Sequence, residues 1–196
     1  KYSKEVYNAG IQNWMISQDN QRFMYFANNE GLLEFNGSKW ILNPSPNETI
    51  IRSVKCINDK IYTGAFMEFG YWERAENGEL IYTSLSNSIK SKIKDDEQFW
   101  GIFPFDNYIL FQSLEKIYAY NTKSKSFTII QPKSTINKAF KTANGIYFQT
   151  KDGLFEIDQG KSKLFLSNQI INQNKLITIF ETTNGLLLVT QKQGIY

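Results

Sequence analysis

The chain repeats a strand–turn–strand pattern about every 40 residues, and this repeat restricts the possible fold more than any other feature. Each copy has a short strand ending in a small or polar residue, then a short turn, then an apolar strand that usually opens on Gly. The aligned strand ends are Asn28, Ala65, Ser113, Thr150 and Thr190. They step by 37, 48, 37 and 40 residues. A strand-bearing repeat of this length is typical of a β-propeller, in which each copy forms one blade.

Each copy supplies four short strands separated by turns rich in Asn and Gly, which tolerate the backbone of tight hairpins. The sequence therefore predicts an all-β fold of four-stranded antiparallel blades, with about four and a half blades in one partial propeller domain over residues 1–196. The predicted blades span 11–46, 51–86, 97–132 and 136–169, and a partial fifth spans 176–196. Two interpretations remain open. The chain is part of a longer propeller, or it is a small five-bladed ring in which Val6 and Tyr7 add the missing outer strand.

The composition excludes several kinds of chemistry. The chain has no His, so nucleophilic catalysis that relies on a His base and zinc sites built on His are excluded within it. Cys56 is the single cysteine, which rules out an internal disulfide framework. We therefore expect no catalytic residues, no metal site and no cofactor in this segment. The net charge of +3 is spread along the chain, so we also expect no nucleic-acid contact.

No stretch of the sequence approaches the ~20 apolar residues of a membrane span. The opening residues 1–5 are polar and do not form a signal peptide. We expect any leader or membrane anchor to lie outside this sequence. The segment Asn87–Glu97 interrupts the repeat as a surface loop or short helix, and its acidic run Asp95–Glu97 is expected to be a solvated bend.

Candidate ligand-binding residues lie where the innermost strands of successive blades begin. In a propeller these positions converge on the mouth of the central channel. Aromatic rings there can stack on a sugar, and a guanidinium can bind a carboxylate or sulfate. The alternative is that the Trp side chains simply pack between blades. The candidates are Trp14, Arg52, Trp100 and Lys138.

A second candidate set consists of acidic residues in the loops between the second and third strands, which open on the same face. A ring of carboxylates there could bind a cation or a cationic ligand. The alternative is that polar residues are simply favoured in such short turns. The residues are Glu30, Glu68, Glu115 and Asp152.

The segment Gln18–Trp40 resembles the two-component regulator propeller repeat, whose pattern is roughly QDxxGxIWxGTxxGLxxYDGxxW, and Asn144–Asp158 fits the same pattern. Together with Tyr7–Trp14, it is similar to the amino-terminal start of sensors from Bacteroidetes-type bacteria. The resemblance implies a periplasmic sensor propeller of about seven blades per ring, followed by a triple-tyrosine β-sandwich and a membrane helix. A LuxR-like helix-turn-helix or a histidine kinase would follow those parts.

Three functions remain open. The first is a non-catalytic ligand-sensing module of a bacterial signal-transduction or transcription regulator, whose ligand is a small molecule or oligosaccharide. Its further partners would be a neighbouring β-sandwich domain or a second protomer, and it would meet a membrane only through parts outside this chain. The second is a propeller-fold carbohydrate-active enzyme, a lyase or a glycosidase. The third is a pure protein-interaction scaffold.

Overall fold

The computed structural model describes residues 2–196, so Lys1, where the predicted domain begins, lies outside the described residues. Strands dominate this part of the chain and form five antiparallel sheets. The chain divides into two compact units, residues 1–102 and 103–196.

The first unit contains two complete four-stranded sheets in which chain order equals strand order. A one-turn helix precedes them, and a 3-10 helix, Ser86–Lys92, follows them. The helix is α1 (Lys4–Tyr7); the strands are β1 (Asn13–Gln18), β2 (Met24–Asn28), β3 (Gly31–Phe35), β4 (Trp40–Asn43), β5 (Ile51–Ile57), β6 (Lys60–Ala65), β7 (Phe69–Arg74) and β8 (Leu80–Ser84). Because α1 includes Val6 and Tyr7, the interpretation in which these two residues add an outer strand is wrong.

The remaining strands form two more four-stranded meanders and a three-stranded fifth sheet. The boundary between the units falls within β9. The elements are β9 (Gly101–Phe105), β10 (Tyr108–Gln112), β11 (Ile117–Asn121), β12 (Phe127–Ile130), β13 (Lys138–Lys141), β14 (Ile146–Thr150), β15 (Gly153–Asp158), β16 (Lys161–Leu166), α2 (Gln169–Gln173), β17 (Leu176–Thr182), β18 (Gly185–Thr190) and β19 (Gly194–Ile195).

The aligned repeat positions occupy equivalent places in the five sheets. Four of them are the last residue of the second strand, and Ser113 directly follows the second strand of its sheet. The structure therefore confirms the prediction of four antiparallel four-stranded blades and a partial fifth.

The core of the first unit lies between its two sheets. Tyr25 and Ala27 are two residues apart on β2, so their side chains lie on the same face of the sheet. They pack against Ile51 and Val54 of β5 in the second sheet. Trp72 completes this cluster, and its indole NH donates to Thr63 Oγ1 at 3.0 Å. Period-two alternation in β2 thus supplies one face for burial against the neighbouring sheet.

The second unit buries two clusters in the same way. One joins the third and fourth sheets around Leu110, Ile117 and Phe148. The other joins the fourth and fifth sheets around Leu154 and Leu188. Each sheet of this unit therefore packs on its neighbour in sequence, as blades do.

The insert between the second and third sheets buries its apolar side. Ile89 and Ile93 are both buried, as their four-residue spacing suggests. The expectation of a solvated acidic bend is wrong for Glu97, which is 2% exposed. Its carboxylate accepts from the Lys94 backbone NH at 2.8 Å, and its carbonyl oxygen accepts from the Met67 NH at 2.7 Å.

Across residues 2–196, no helix has the length and apolar character that crossing a membrane requires.

Candidate ligand-binding site

Two β-bulges stand at the start of the first strands of the first two sheets. In the pairing of β1 with β2, Trp14 is the extra residue between the paired positions Asn13 and Met15. In the pairing of β5 with β6, Arg52 is the extra residue in the same place. A bulge redirects the side chain of the extra residue relative to the regular alternation. The repeat therefore presents Trp14 and Arg52 in equivalent ways from consecutive blades.

The structure brings Trp14, Arg52 and Trp100 together. The guanidinium carbon of Arg52 lies 4.2 Å from the centroid of the Trp14 ring and 4.8 Å from that of Trp100. The two indoles meet edge to face, with centroids 5.9 Å apart. These separations place the rings at about a right angle around the guanidinium, not on opposite faces of it. We call this arrangement the arginine corner, formed by Trp14, Arg52 and Trp100.

The hydrogen bonds of Arg52 are incomplete. Its Nε donates to Gln98 Oε1 at 2.7 Å. Its Nη1 is closed off from solvent and has no hydrogen-bond partner among residues 2–196. No carboxylate within the described chain pairs with this half-buried cation. Burial lowers the pKa of Arg52, because the charged form loses hydration that no anion replaces.

A polar network holds the Trp14 side of the corner. The Trp14 indole NH donates to Asn29 Oδ1 at 2.8 Å, in the turn between β2 and β3. The neighbouring Asn28 is fully buried, and its amide nitrogen donates to the Gly10 carbonyl oxygen and to Asn13 Oδ1. Its Oδ1 accepts from the backbone NH groups of Gly10 and Glu30. The chain leading into β1 is therefore fixed to the end of β2.

Arg74 shows how differently a purely structural arginine is bound in the same unit. Its Nη2 bonds to Glu34 Oε2 at 2.8 Å and to the Tyr25 hydroxyl at 2.9 Å, and its Nη1 bonds to the Gly78 carbonyl oxygen at 2.7 Å. Burial acts to lower the pKa of Arg74, but the bonds to Glu34 and Tyr25 raise it overall. Arg74 links the two sheets with both terminal nitrogens occupied, whereas Arg52 has neither terminal nitrogen bonded within the described residues.

The fourth candidate of the first set, Lys138, lies on β13 in the second unit. Its ammonium donates to the Ile177 carbonyl oxygen at 2.8 Å. Ile177 is itself the extra residue of a bulge between β17 and β18. The Lys138 ammonium is thus engaged by the first strand of the fifth sheet.

The acidic candidates differ from one another in their surroundings. Glu30 is exposed and follows Asn29 in the turn beside Trp14. The Glu68 carboxylate accepts from the Tyr82 and Ser84 hydroxyls of β8, at the edge of the sheet opposite β5. The Asp152 carboxylate accepts from the Ser134 hydroxyl and is exposed. Within residues 2–196, no three acidic or thiol side chains gather closely enough to hold a metal ion.

Two features of the arginine corner were missed in the sequence. The bulges at Trp14 and Arg52 shift the register by one residue, which alternation alone does not reveal. Gln98, the hydrogen-bond partner of Arg52, is held by a β-bridge to Phe66. Its position two residues before Trp100 is the only signal that could have indicated it.

No protein-family model matches the sequence, and neither does any curated protein. Solved structures do match. The extracellular domain of a putative hybrid two-component system from B. thetaiotaomicron aligns with a TM-score of 0.66 and 18% identity, over 94% of this chain and 26% of that one. An ancestral GH74 enzyme aligns with a TM-score of 0.68 and 14% identity, over 93% of this chain and 28% of that one. YCF48 bound to D1 peptide aligns with a TM-score of 0.61 and 12% identity, over 95% of this chain and 66% of that one.

These similarities establish the fold: the chain is an all-β protein with β-propeller blades. The chain spans about a quarter of the length of the two-component domain that it matches. These similar structures include an extracellular domain of a putative two-component system, an enzyme and a peptide complex, so the fold by itself is compatible with more than one function.

Proposed function

We propose that this chain is part of the ligand-sensing propeller of an extracytoplasmic bacterial sensor, and that the segment itself is non-catalytic. The observation that carries the proposal is the arginine corner. In this corner the Arg52 cation has no anionic partner among the described residues and lies beside two indoles, where the first strands of consecutive blades begin. A site that combines flat apolar surface with a few convergent polar groups suits a small molecule or an oligosaccharide.

The fold supports the sensing role, since the extracellular domain of a putative two-component system shares it. The proposal includes membership of the two-component regulator propeller family and a periplasmic location. It also includes signalling through a neighbouring β-sandwich domain or a second protomer. In this scheme residues 1–196 form one partial propeller domain, and the membrane is reached through parts outside this chain.

The glycines of the repeat also support the family resemblance. Gly31 and Gly153 open the third strands of the two copies that match the pattern best, with φ of 142° and 144°. A Cβ at Gly31 would overlap with the Asn43 carbonyl oxygen, and one at Gly153 would lie 2.7 Å from the Leu166 carbonyl oxygen. The pattern therefore has Gly at positions where both the backbone conformation and the outer strand exclude a side chain.

The test is to screen the chain against soluble neutral and acidic mono- and oligosaccharides, following the melting temperature and Trp fluorescence. The proposal expects at least one compound to raise the melting temperature and to change the fluorescence saturably. If the whole panel fails in both measurements, the sensing proposal falls and the interaction-scaffold hypothesis gains. Incubating the same compounds with the chain and analysing the products tests the enzyme hypothesis. Turnover would overturn the non-catalytic assignment.

A further inference from the structure

We propose that Arg52 forms an oxyanion subsite, which takes a ligand bearing a carboxylate or sulfate group on a ring with an apolar face, such as a pyranose. This inference rests on the proposed sensing function and adds the chemical class of the ligand. It assigns the anion to Nη2 of Arg52, because Nη1 is closed off from solvent, and the ring to the exposed surface of Trp14.

The first step in the argument is the unused hydrogen-bonding capacity of Arg52. A guanidinium carries five NH donors, and the single hydrogen bond that the described residues make to Arg52 is the one from Nε to Gln98. Nη1 is buried without a partner. Nη2 also has no hydrogen-bond partner in residues 2–196, and unlike Nη1 it is not fully closed off from solvent. A ligand therefore meets Nη2 first.

The second step is the cost of leaving a half-buried cation unpaired. A purely structural role would favour a partner such as Glu34, which Arg74 has in the same unit. Aromatic rings attract the guanidinium through their π faces, but they do not accept its in-plane NH groups as an oxyanion does. The corner thus fixes the orientation of the guanidinium while leaving its strongest bonds to be made.

The third step concerns the apolar part of the ligand. Trp14 is 38% exposed although it contacts Arg52 and Trp100, and its indole NH is already bonded to Asn29. The free part of this indole is therefore carbon surface, which stacks on the apolar face of a ring rather than making hydrogen bonds. Because the Arg52 guanidinium carbon lies 4.2 Å from the centroid of the Trp14 ring, one small ligand can place its anionic group on Arg52 and its ring on Trp14.

The experiment follows the indole NH signals of the ¹⁵N-labelled chain during titration with D-glucuronate, D-glucose 6-sulfate or D-glucose. The chain has four Trp residues. Trp14 and Trp100 report on the corner, whereas Trp40 and Trp72 lie on β4 and β7 and serve as internal references. Titration to about 50 mM covers the millimolar affinity expected of one charge-assisted contact.

We expect saturable shifts of the Trp14 and Trp100 signals with the acid or the sulfate ester and none with glucose. A response to only one of the two anionic probes identifies the group that is bound. Arg52→Gln should weaken binding at least about tenfold, because it removes the charge and both terminal nitrogens. Arg52→Lys keeps the charge but loses the planar fork, so it should bind more weakly than the parent. Lys163→Gln, which removes an exposed cation on β16, is the matched control and should bind like the parent.

The Trp40 and Trp72 signals show whether each variant is folded. Equal responses to glucose and glucuronate, parent-like affinity in folded Arg52→Gln, or no response to either anionic probe would each overturn the oxyanion subsite. If another compound from the screening panel binds under those conditions, the sensing proposal stands and only the subsite falls.

Discussion

Replacing Asn28 with Asp should destabilise the first unit, although the two side chains have nearly the same shape. The amide nitrogen of Asn28 donates to the Gly10 carbonyl oxygen at 2.7 Å and to Asn13 Oδ1 at 2.8 Å. An aspartate places an oxygen there, so both of these hydrogen bonds are lost and the new oxygen faces the Gly10 carbonyl oxygen. The bonds that Oδ1 accepts from Gly10 and Glu30 remain available.

The size of the effect follows from the burial of this site. Asn28 has no exposed surface, so water cannot replace the two lost donors. Losing both bonds and leaving the Gly10 carbonyl oxygen unsatisfied should cost about 3 kcal/mol. For a chain of this size that corresponds to a decrease of about 6–12 °C in melting temperature if both units unfold together.

The deficit should depend on pH. Burial and the facing oxygens raise the pKa of the introduced carboxyl in the folded state. Its protonated form, which can donate to one of those oxygens, is therefore favoured by folding. The variant should be closest to the parent below pH ~4 and should lose stability as pH rises through the folded-state pKa.

The assay is urea unfolding of the parent and variant at pH about 4.5 and about 7.5. Asn36→Asp is the matched control, because Asn36 lies in a turn and uses only its oxygen, which accepts from the Ser38 and Lys39 NH groups. The control should change stability by less than about 0.5 kcal/mol at either pH. Equal losses for the two variants, or a loss at Asn28 that does not vary with pH, would refute the reasoning.

Three further predictions concern other contacts. Gly31→Val should lower the melting temperature more than Gly185→Val, since both glycines have positive φ but only the first would also overlap with a carbonyl oxygen of β4; similar melting curves would contradict this. Glu34→Ala, which breaks a buried ion pair, should cost about 3 kcal/mol in urea unfolding, and Glu73→Ala, from a more exposed pair, should cost less than about 1 kcal/mol. Burial raises the pKa of the Cys56 thiol to about 11. Iodoacetamide at pH ~8 should therefore alkylate the folded chain far more slowly than the urea-unfolded chain, and equal rates would show that the thiol is accessible.

The strand pattern was predictable because it depends on local signals. Alternating apolar residues and turn residues placed Asn28 and Thr150 at the ends of the second strands, where the structure has them. Long-range contacts were not predictable in the same way. Glu97 belongs to an acidic run that looks solvated, yet it is buried: its carboxylate bonds to the nearby Lys94 NH, and its carbonyl oxygen accepts from the NH of Met67, which is distant in the sequence.

The candidate site was predictable in residue type but not in detail. Successive first strands indicated Trp14, Arg52 and Trp100, and these three side chains meet. The bulges that present two of them are shifts of register, which leave no mark in composition. Lys138 has the charge expected of a ligand-binding residue, but its ammonium is bonded to a backbone carbonyl of the fifth sheet.

Each sheet is a meander built from one uninterrupted stretch of chain, and this has a consequence for how the protein folds. Hairpins between consecutive strands need only short loops to close, so a sheet can assemble before the residues of the next one are available. Within each unit, folding can therefore proceed sheet by sheet, with a completed sheet acting as a template for the neighbour that packs on it. A substitution that slows the earlier sheet of such a pair should delay the later one.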